Sequence, residues 1–172
     1  MKMIESPWVV FLDLDGTLWD YLDITAASPP FTRISESTIS DSLGLRISLQ
    51  PGAIDFIKWV RSSGGIISTC SWNEYDKAIG ALEAYNIVHL FDYQKISTSP
   101  KKYLLMEEVL SQLVQKGVSV KMDRLFYLDD RDIHIKDVKA RFPELTFFLM
   151  WKNGTNYESV KSTILSKIKG TL

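Results

Sequence analysis

Two aspartates, Asp13 and Asp15, stand two positions apart at the end of an apolar run, where the stretch from Phe11 to Asp20 reads FLDLDGTLWD. In a fully extended strand their carboxylates would share a face, and Gly16 permits a sharp departure after them. Paired carboxylates suit phosphate ester chemistry: one attacks phosphorus, while the other gives a proton to the leaving oxygen and later takes one from water. Held close together, two carboxylates also split their pKa values, so that one stays protonated near neutrality. A second acidic pair, Asp129 and Asp130, follows the apolar run Leu125 to Leu128. Charges at the end of an apolar strand cost free energy unless something neutralises them, and a divalent cation would. Two simpler readings of the first motif weigh less. A calcium loop of the EF-hand type also begins Asp-x-Asp, but its twelfth position here is Ile24, where a bidentate Glu is needed. A turn rich in Asp and Gly accounts for neither the apolar run before the motif nor Thr17 after it.

The elements that must position these residues alternate in type. Trp8 to Leu12, Ile66 to Cys70, Leu125 to Leu128 and Thr146 to Trp151 are apolar runs of the kind that a strand buried on both faces requires. A weaker strand is expected near Tyr93 to Ile96. Helical spacing predicts helices over Ala53 to Arg61, Glu74 to Tyr85, Lys101 to Lys116, Ile133 to Phe142 and Asn156 to Ile168, with Thr155 to Glu158 as a capping box opening the last. Alternating strands and helices imply right-handed β-α-β units and a parallel sheet with helices on both faces, a Rossmann-like α/β fold. Such sheets place ligands at the carboxyl ends of their strands, where Asp13, Asp15, Ser71, Asp129 and Asp130 all fall. Ser71 to Glu74 also reads as a capping box, so Ser71 has a second possible use as a helix start. One stretch breaks the alternation. From Trp19 to Gln50 no convincing helix is found, Leu45, Ile47 and Leu49 alternate as an exposed strand would, and Asp41 to Gly44 is a turn candidate. This stretch is expected to be a hairpin flap inserted after the first strand, the only lid of a single domain spanning 1–172.

Composition narrows the field. The chain has 172 residues, a formal net charge of -1, 45% apolar and 24% charged residues, which fits a globular domain and offers no basic excess for nucleic acid. No apolar run approaches the roughly 20 residues of a membrane helix, and the first residues lack the apolar core of a signal peptide. The one cysteine, Cys70, excludes an intrachain disulfide and a cysteine-rich zinc site. It is expected to be buried and inert, and a cytoplasmic location fits. Asn153 to Thr155 matches a glycosylation sequon but reads as a plain turn. His89 and His134, the only histidines, make no zinc site; His134 is a candidate for the rim, as are Trp19 and Trp72 for the mouth of the pocket, with core packing the competing use of Trp72.

DLDGTLW resembles the first motif of the haloacid dehalogenase (HAD) superfamily of phosphohydrolases. More narrowly, the chain from about Val9 to beyond Gly154 is similar to the magnesium-dependent phosphatase family, through the Pro29-Pro30-Phe31 element of the flap region, Leu128-Asp129-Asp130 and its continuation Ile135 to Val138. The resemblance implies a phosphatase in which Asp13 is the nucleophile, forming an aspartyl-phosphate, and Asp15 the general acid and base. It implies a Mg²⁺ ion held by the Asp13 carboxylate, the Asp15 backbone carbonyl, Asp129, and Asp130 either directly or through water. Ser71 resembles the second motif, a hydroxyl that binds a phosphoryl oxygen. The third motif is a lysine at Lys101 or Lys102, following Ser99 as an expected N-cap and Pro100 as the first helical residue. Lysines in a first helical turn oppose the helix dipole by roughly 0.3–1 kcal/mol each, a placement that a phosphate beside them would explain; the register of the family motif favours Lys101. The chain departs from vertebrate members of the family at Trp72, where they carry arginine, and at Asp132 and His134, where they carry asparagine.

The implied substrate is a phosphorylated small molecule or protein side chain, with phosphotyrosine and sugar or glycated-amine phosphates as candidates, acted on by a monomer without nucleic acid or membrane. A dehalogenase would need neither the second carboxylate nor the metal. A binding or regulatory module that kept the fold and lost turnover is the alternative of a different class.

Overall fold

In a computed structural model, which describes residues 6–170, the chain builds a four-stranded parallel sheet ordered β5-β1-β8-β9. Its strands are β1 (Val9–Leu12), β5 (Ile66–Thr69), β8 (Leu125–Asp129) and β9 (Thr146–Leu149). β1 runs between β5 and β8, with Leu12 in register with Thr69 and Leu128, and every residue of β1 and β8 is buried. Alternation divides them between two cores. Val10, Leu12, Phe126 and Leu128 join the core covered by α1 (Ala53–Ser62), α2 (Tyr75–Ala84) and α5 (Tyr157–Lys169). Val9, Phe11, Leu125 and Tyr127 join the core covered by α3 (Lys102–Gln115) and α4 (Ile135–Arg141). Next to β5 the short strands β6 (Ser71–Trp72) and β7 (Ile96–Ser97) pair in parallel, and a bridge from Ser68 to Tyr93 carries that pairing back to β5. The expected strand near Tyr93 to Ile96 is thus realised mostly as extended edge. Among the described residues no helix is long and apolar enough to cross a membrane.

Two helix starts differ from the sequence expectation. The capping box of α5 sits one residue later than Thr155: the Asn156 side chain accepts from the Ser159 backbone N at 2.9 Å and the Ser159 hydroxyl accepts from the Asn156 N at 2.9 Å. The α3 helix starts at Lys102 with Lys101 as its cap, so Ser99 and Pro100 precede it. The sequon is a turn, closed by the Thr155 N donating to the Lys152 carbonyl at 2.9 Å, with Asn153 and Gly154 at positive φ.

The insertion after β1 forms a three-stranded antiparallel sheet, β2 (Thr32–Arg33), β3 (Thr38–Ser40) and β4 (Arg46–Ser48). The Asp41 side chain closes its β3-β4 turn, accepting from the backbone N of Leu43 at 3.0 Å and of Leu45 at 2.8 Å. Its alternation is not that of an exposed strand: Ile39 and Ile47 are fully buried in the first core together with Ile24 and Ala27. The hydroxyl of Tyr85, which caps the C-terminus of α2, donates to the Ile47 carbonyl at 2.5 Å, and Lys77 of that helix donates to the Thr25 carbonyl. The flap is a seated part of the fold. Tyr85→Phe, which removes a buried donor while keeping the ring, is expected to lower stability by about 1–3 kcal/mol, read as a shift of the urea midpoint at unchanged slope.

Candidate active site

The β1 strand ends where its ladder does, with the Asp13 N donating to the Leu128 carbonyl at 3.0 Å. The chain then turns sharply, the Thr17 and Leu18 amides both returning to the Leu14 carbonyl at 3.1 and 2.8 Å. Gly16 has φ +70, and a Cβ there would lie 2.3 Å from Asp130 Oδ2. Only glycine supplies both that backbone conformation and that closeness. Thr17 stitches the two acidic segments together: its hydroxyl reaches Asp13 Oδ2 at 3.1 Å and Asp130 Oδ1 at 3.2 Å and accepts from the Asp130 N at 2.9 Å. The structure therefore brings Asp13, Asp129 and Asp130 together, with one carboxylate oxygen of each within 4.8 Å of the others.

The lysine that meets them is Lys102. Its ammonium, fully buried, lies 2.7 Å from Asp13 Oδ1 and 2.7 Å from Asp129 Oδ2. Lys101, the residue favoured from motif register, is exposed and caps the helix from outside. The reason is the orientation of α3: Lys102 extends its buried stripe of Leu105, Met106, Val109 and Leu113, and Lys101 lies off that stripe. Burial acts against the Lys102 charge, but Asp13 and Asp129 outweigh it and hold the ammonium above its ordinary range. Burial likewise acts against the Asp129 charge, and Lys102 reverses it, leaving that carboxyl below its ordinary range. Asp13 goes the other way. Burial pushes its carboxyl well up against the pull of Lys102, and the like charges of Asp129 and Asp130 add to the push. Burial and Asp129 push Asp130 up as well.

These residues fit a hard divalent cation. Three carboxylates against one ammonium leave two negative charges uncompensated when all are ionised, and that repulsion adds to burial in the upward shifts of Asp13 and Asp130. The donor set is all oxygen, as Mg²⁺ prefers.

The Asp15 carboxyl does not join that cluster and turns to the other side of the turn. Oδ1 accepts from Trp19 Nε1 at 2.8 Å and from the Ile24 N at 3.1 Å, while Oδ2 accepts from Asn73 Nδ2 at 2.8 Å. Any part for Asp15 in holding a cation falls to its backbone carbonyl. Burial pushes its carboxyl up, against these hydrogen bonds. Trp19, expected at the pocket mouth, is instead fully buried, with its ring stacked on Tyr85. Asn73 was not foreseen as a site residue. The same amide donates to Ser71 Oγ at 2.9 Å, so it ties the second motif to the acid. Ser71 is not a helix cap: it lies buried in β6, and α2 starts four residues on. Accepting from Asn73 leaves its hydroxyl proton for another acceptor. The alternative hydroxyl, Thr69, donates to the Lys95 carbonyl at 3.2 Å.

A cavity of about 360 Å³ opens beside Asp15 and Asn73, walled by Leu22, Trp72 and Arg131 among others. Trp72 is 42% exposed and not core packing. Its indole N donates to the Thr98 carbonyl at 3.0 Å and its ring meets His134 edge-on at 5.9 Å. His134 is buried behind it, and burial, with Lys102 nearby, pushes its imidazole down. Cys70 is buried, with its thiol pushed up to about 12 by burial, which leaves it inert.

The sequence model of the acid phosphatase family matches residues 5–166. Magnesium-dependent phosphatase 1 of Homo sapiens is 26% identical over 137 residues, covering 79% of this chain and 74% of that protein. The N-terminal part of the protein BF1531 from Bacteroides fragilis, containing a phosphatase domain complexed with Mg, superposes with a TM-score of 0.65 at 18% identity over 96% of this chain. This chain spans 41% of that structure. The HAD domain of the effector protein Lem4 from Legionella pneumophila gives a TM-score of 0.62 at 17% identity, covering 96% of this chain and 97% of that one. The likeness to these solved structures is one of fold.

The two lysines separate by experiment. In EDTA, Lys102→Met strands two buried carboxylates and is expected to cost about 3–5 kcal/mol, measured by urea unfolding. Lys101→Met, an exposed change, should stay within about 0.5 kcal/mol of the parent.

Proposed function

The chain belongs to the acid phosphatase family and is a phosphoric monoester hydrolase with a HAD-type fold, and from that premise we propose that it hydrolyses phosphate monoesters through an aspartyl-phosphate on Asp13. The observation that carries the reading is the buried Lys102 ammonium between Asp13 and Asp129, with Asp130 joined to Asp13 through Thr17. Mg²⁺ would be held by the carboxylates of Asp13 and Asp129, by Asp130 directly or through a water, and by the Asp15 carbonyl; the human relative is named for its magnesium dependence. When bound it offsets the repulsion between a carboxylate nucleophile and an anionic phosphate.

The residues then divide the work. An Asp13 oxygen attacks phosphorus and the ester oxygen leaves, taking the proton of the Asp15 carboxyl. That proton belongs on Oδ2, because Oδ1 already accepts from both Trp19 and Ile24. Water then attacks the phosphorus of the acyl phosphate, giving its proton back to Asp15 and releasing phosphate with Asp13 free. Ser71 and Lys102 hold the phosphoryl oxygens, Lys102 taking the place first given to Lys101. The leaving group occupies the cavity beside Asp15, where the Trp72 and Leu22 faces suit the ring of phosphotyrosine, and Asp23 and Glu74 suit the amine of a glycated-amine phosphate.

With p-nitrophenyl phosphate, turnover is expected to require Mg²⁺ and to be lost in EDTA. Asp13→Asn should lower kcat by about four orders of magnitude or more; a variant that turns over normally would sink the nucleophile assignment. Asp15→Asn should still release about one equivalent of p-nitrophenolate, which leaves without a proton, and then stall by roughly 10²–10⁴-fold in the steady state. Rapid mixing with absorbance at the phenolate band separates that burst from turnover.

A further inference from the structure

Tyr127 precedes Asp129 by two residues on β8, so the two side chains leave the strand on one face. The tyrosine is fully buried. Its ring packs at 5.2 Å on Phe147, and Lys102 Nζ stands 5.7 Å from its centroid. Its hydroxyl donates to Asp129 Oδ2, the oxygen that also takes the Lys102 ammonium. The other oxygen, Oδ1, accepts from the Arg131 N at 3.0 Å. An ionised carboxylate only accepts, so the phenol is the donor of this bond. A phenylalanine would fill this space without the cost of desolvating a hydroxyl, and the hydroxyl meets a carboxylate of the acidic cluster.

We propose that Tyr127 is a positioning residue for the cation site: its hydroxyl fixes the Asp129 carboxylate in one orientation and shares Oδ2 with Lys102, leaving Lys102 its contact with Asp13. The inference rests on reading Asp13, Asp129 and Asp130 as the Mg²⁺ site. Partners that orient a ligating carboxylate commonly change metal affinity about 10–100-fold when removed.

The test is calorimetric titration of MgCl₂ into the full chain without substrate, for the parent, Tyr127→Phe and Phe147→Leu. The expected result is a Kd for Mg²⁺ raised about tenfold or more in Tyr127→Phe, with Phe147→Leu, which disturbs the same ring packing but not the hydroxyl, close to the parent. Thermal stabilisation by Mg²⁺ should shrink in parallel. Tyr127→Met, apolar and adaptable, gives the same comparison should the first variant fold poorly. A Tyr127 variant that melts lower yet binds Mg²⁺ like the parent would overturn the proposal and leave the hydroxyl a purely structural role. A parent chain that binds no Mg²⁺ at millimolar concentration would instead remove the cation site itself, and the proposal with it.

Discussion

A single ammonium buried between two carboxylates sets the terms for the rest of the molecule. Lys102 lies 2.7 Å from both Asp13 and Asp129 with no exposed surface of its own. Burying three charges costs several kcal/mol per ion, which attraction repays only in good geometry with further hydrogen bonds. Those bonds are present: Thr17 on Asp13, Tyr127 and the Arg131 amide on Asp129. The arrangement still leaves Asp13 and Asp130 raised by burial and by their like-charged neighbours. Excess negative charge and an all-oxygen donor set suit a divalent cation.

The scaffold makes such a meeting of charges possible at low conformational cost. In a parallel sheet, neighbouring strands end at the same edge, and the β1-β8 register puts Leu12 beside Leu128, so the next residues are Asp13 and Asp129. No long loop has to carry either one. The third partner arrives on the first residue of α3, and the fourth, Asp130, packs against the Cα of Gly16. The charged groups of the site thus come from strand ends and one helix start, which hold side chains more narrowly than free loops do.

Much of this was legible because strands buried on both faces must be apolar throughout. Val9–Leu12, Ile66–Thr69, Leu125–Asp129 and Thr146–Leu149 lie where such runs were read, and the charged residues at their ends followed. What failed was register. The stripe Leu105, Val109, Leu113, carried back at about 100° per residue, centres within roughly 20° of position 102 and roughly 80° from position 101. The buried lysine was therefore readable from helix geometry, which motif register alone overlooked. Ser71 was read as a possible cap because Ser-x-x-Glu fits the pattern, but the segment stays extended through Trp72, where β6 pairs with β7. A parallel pairing between segments so distant in sequence leaves no local signal, and Asn73, whose amide bridges Ser71 and Asp15, was hidden by the same contact.

Trp19 shows a subtler dependence. As an aromatic just after the turn at residues 13–17 it looked suited to the pocket mouth, yet it is buried and donates to Asp15 Oδ1 while its ring stacks on Tyr85. Tyr85 in turn holds the flap through the Ile47 carbonyl, and the flap's Ile24 amide supplies the second donor to Asp15 Oδ1. The insertion that walls the cavity also fixes the Asp15 carboxyl beside it. A lid free to swing open would take two of the three hydrogen bonds of Asp15 with it. That accounts for why this stretch is sewn into the first core by Ile39 and Ile47: in this chain, holding the insertion and holding the Asp15 carboxyl are one structural requirement.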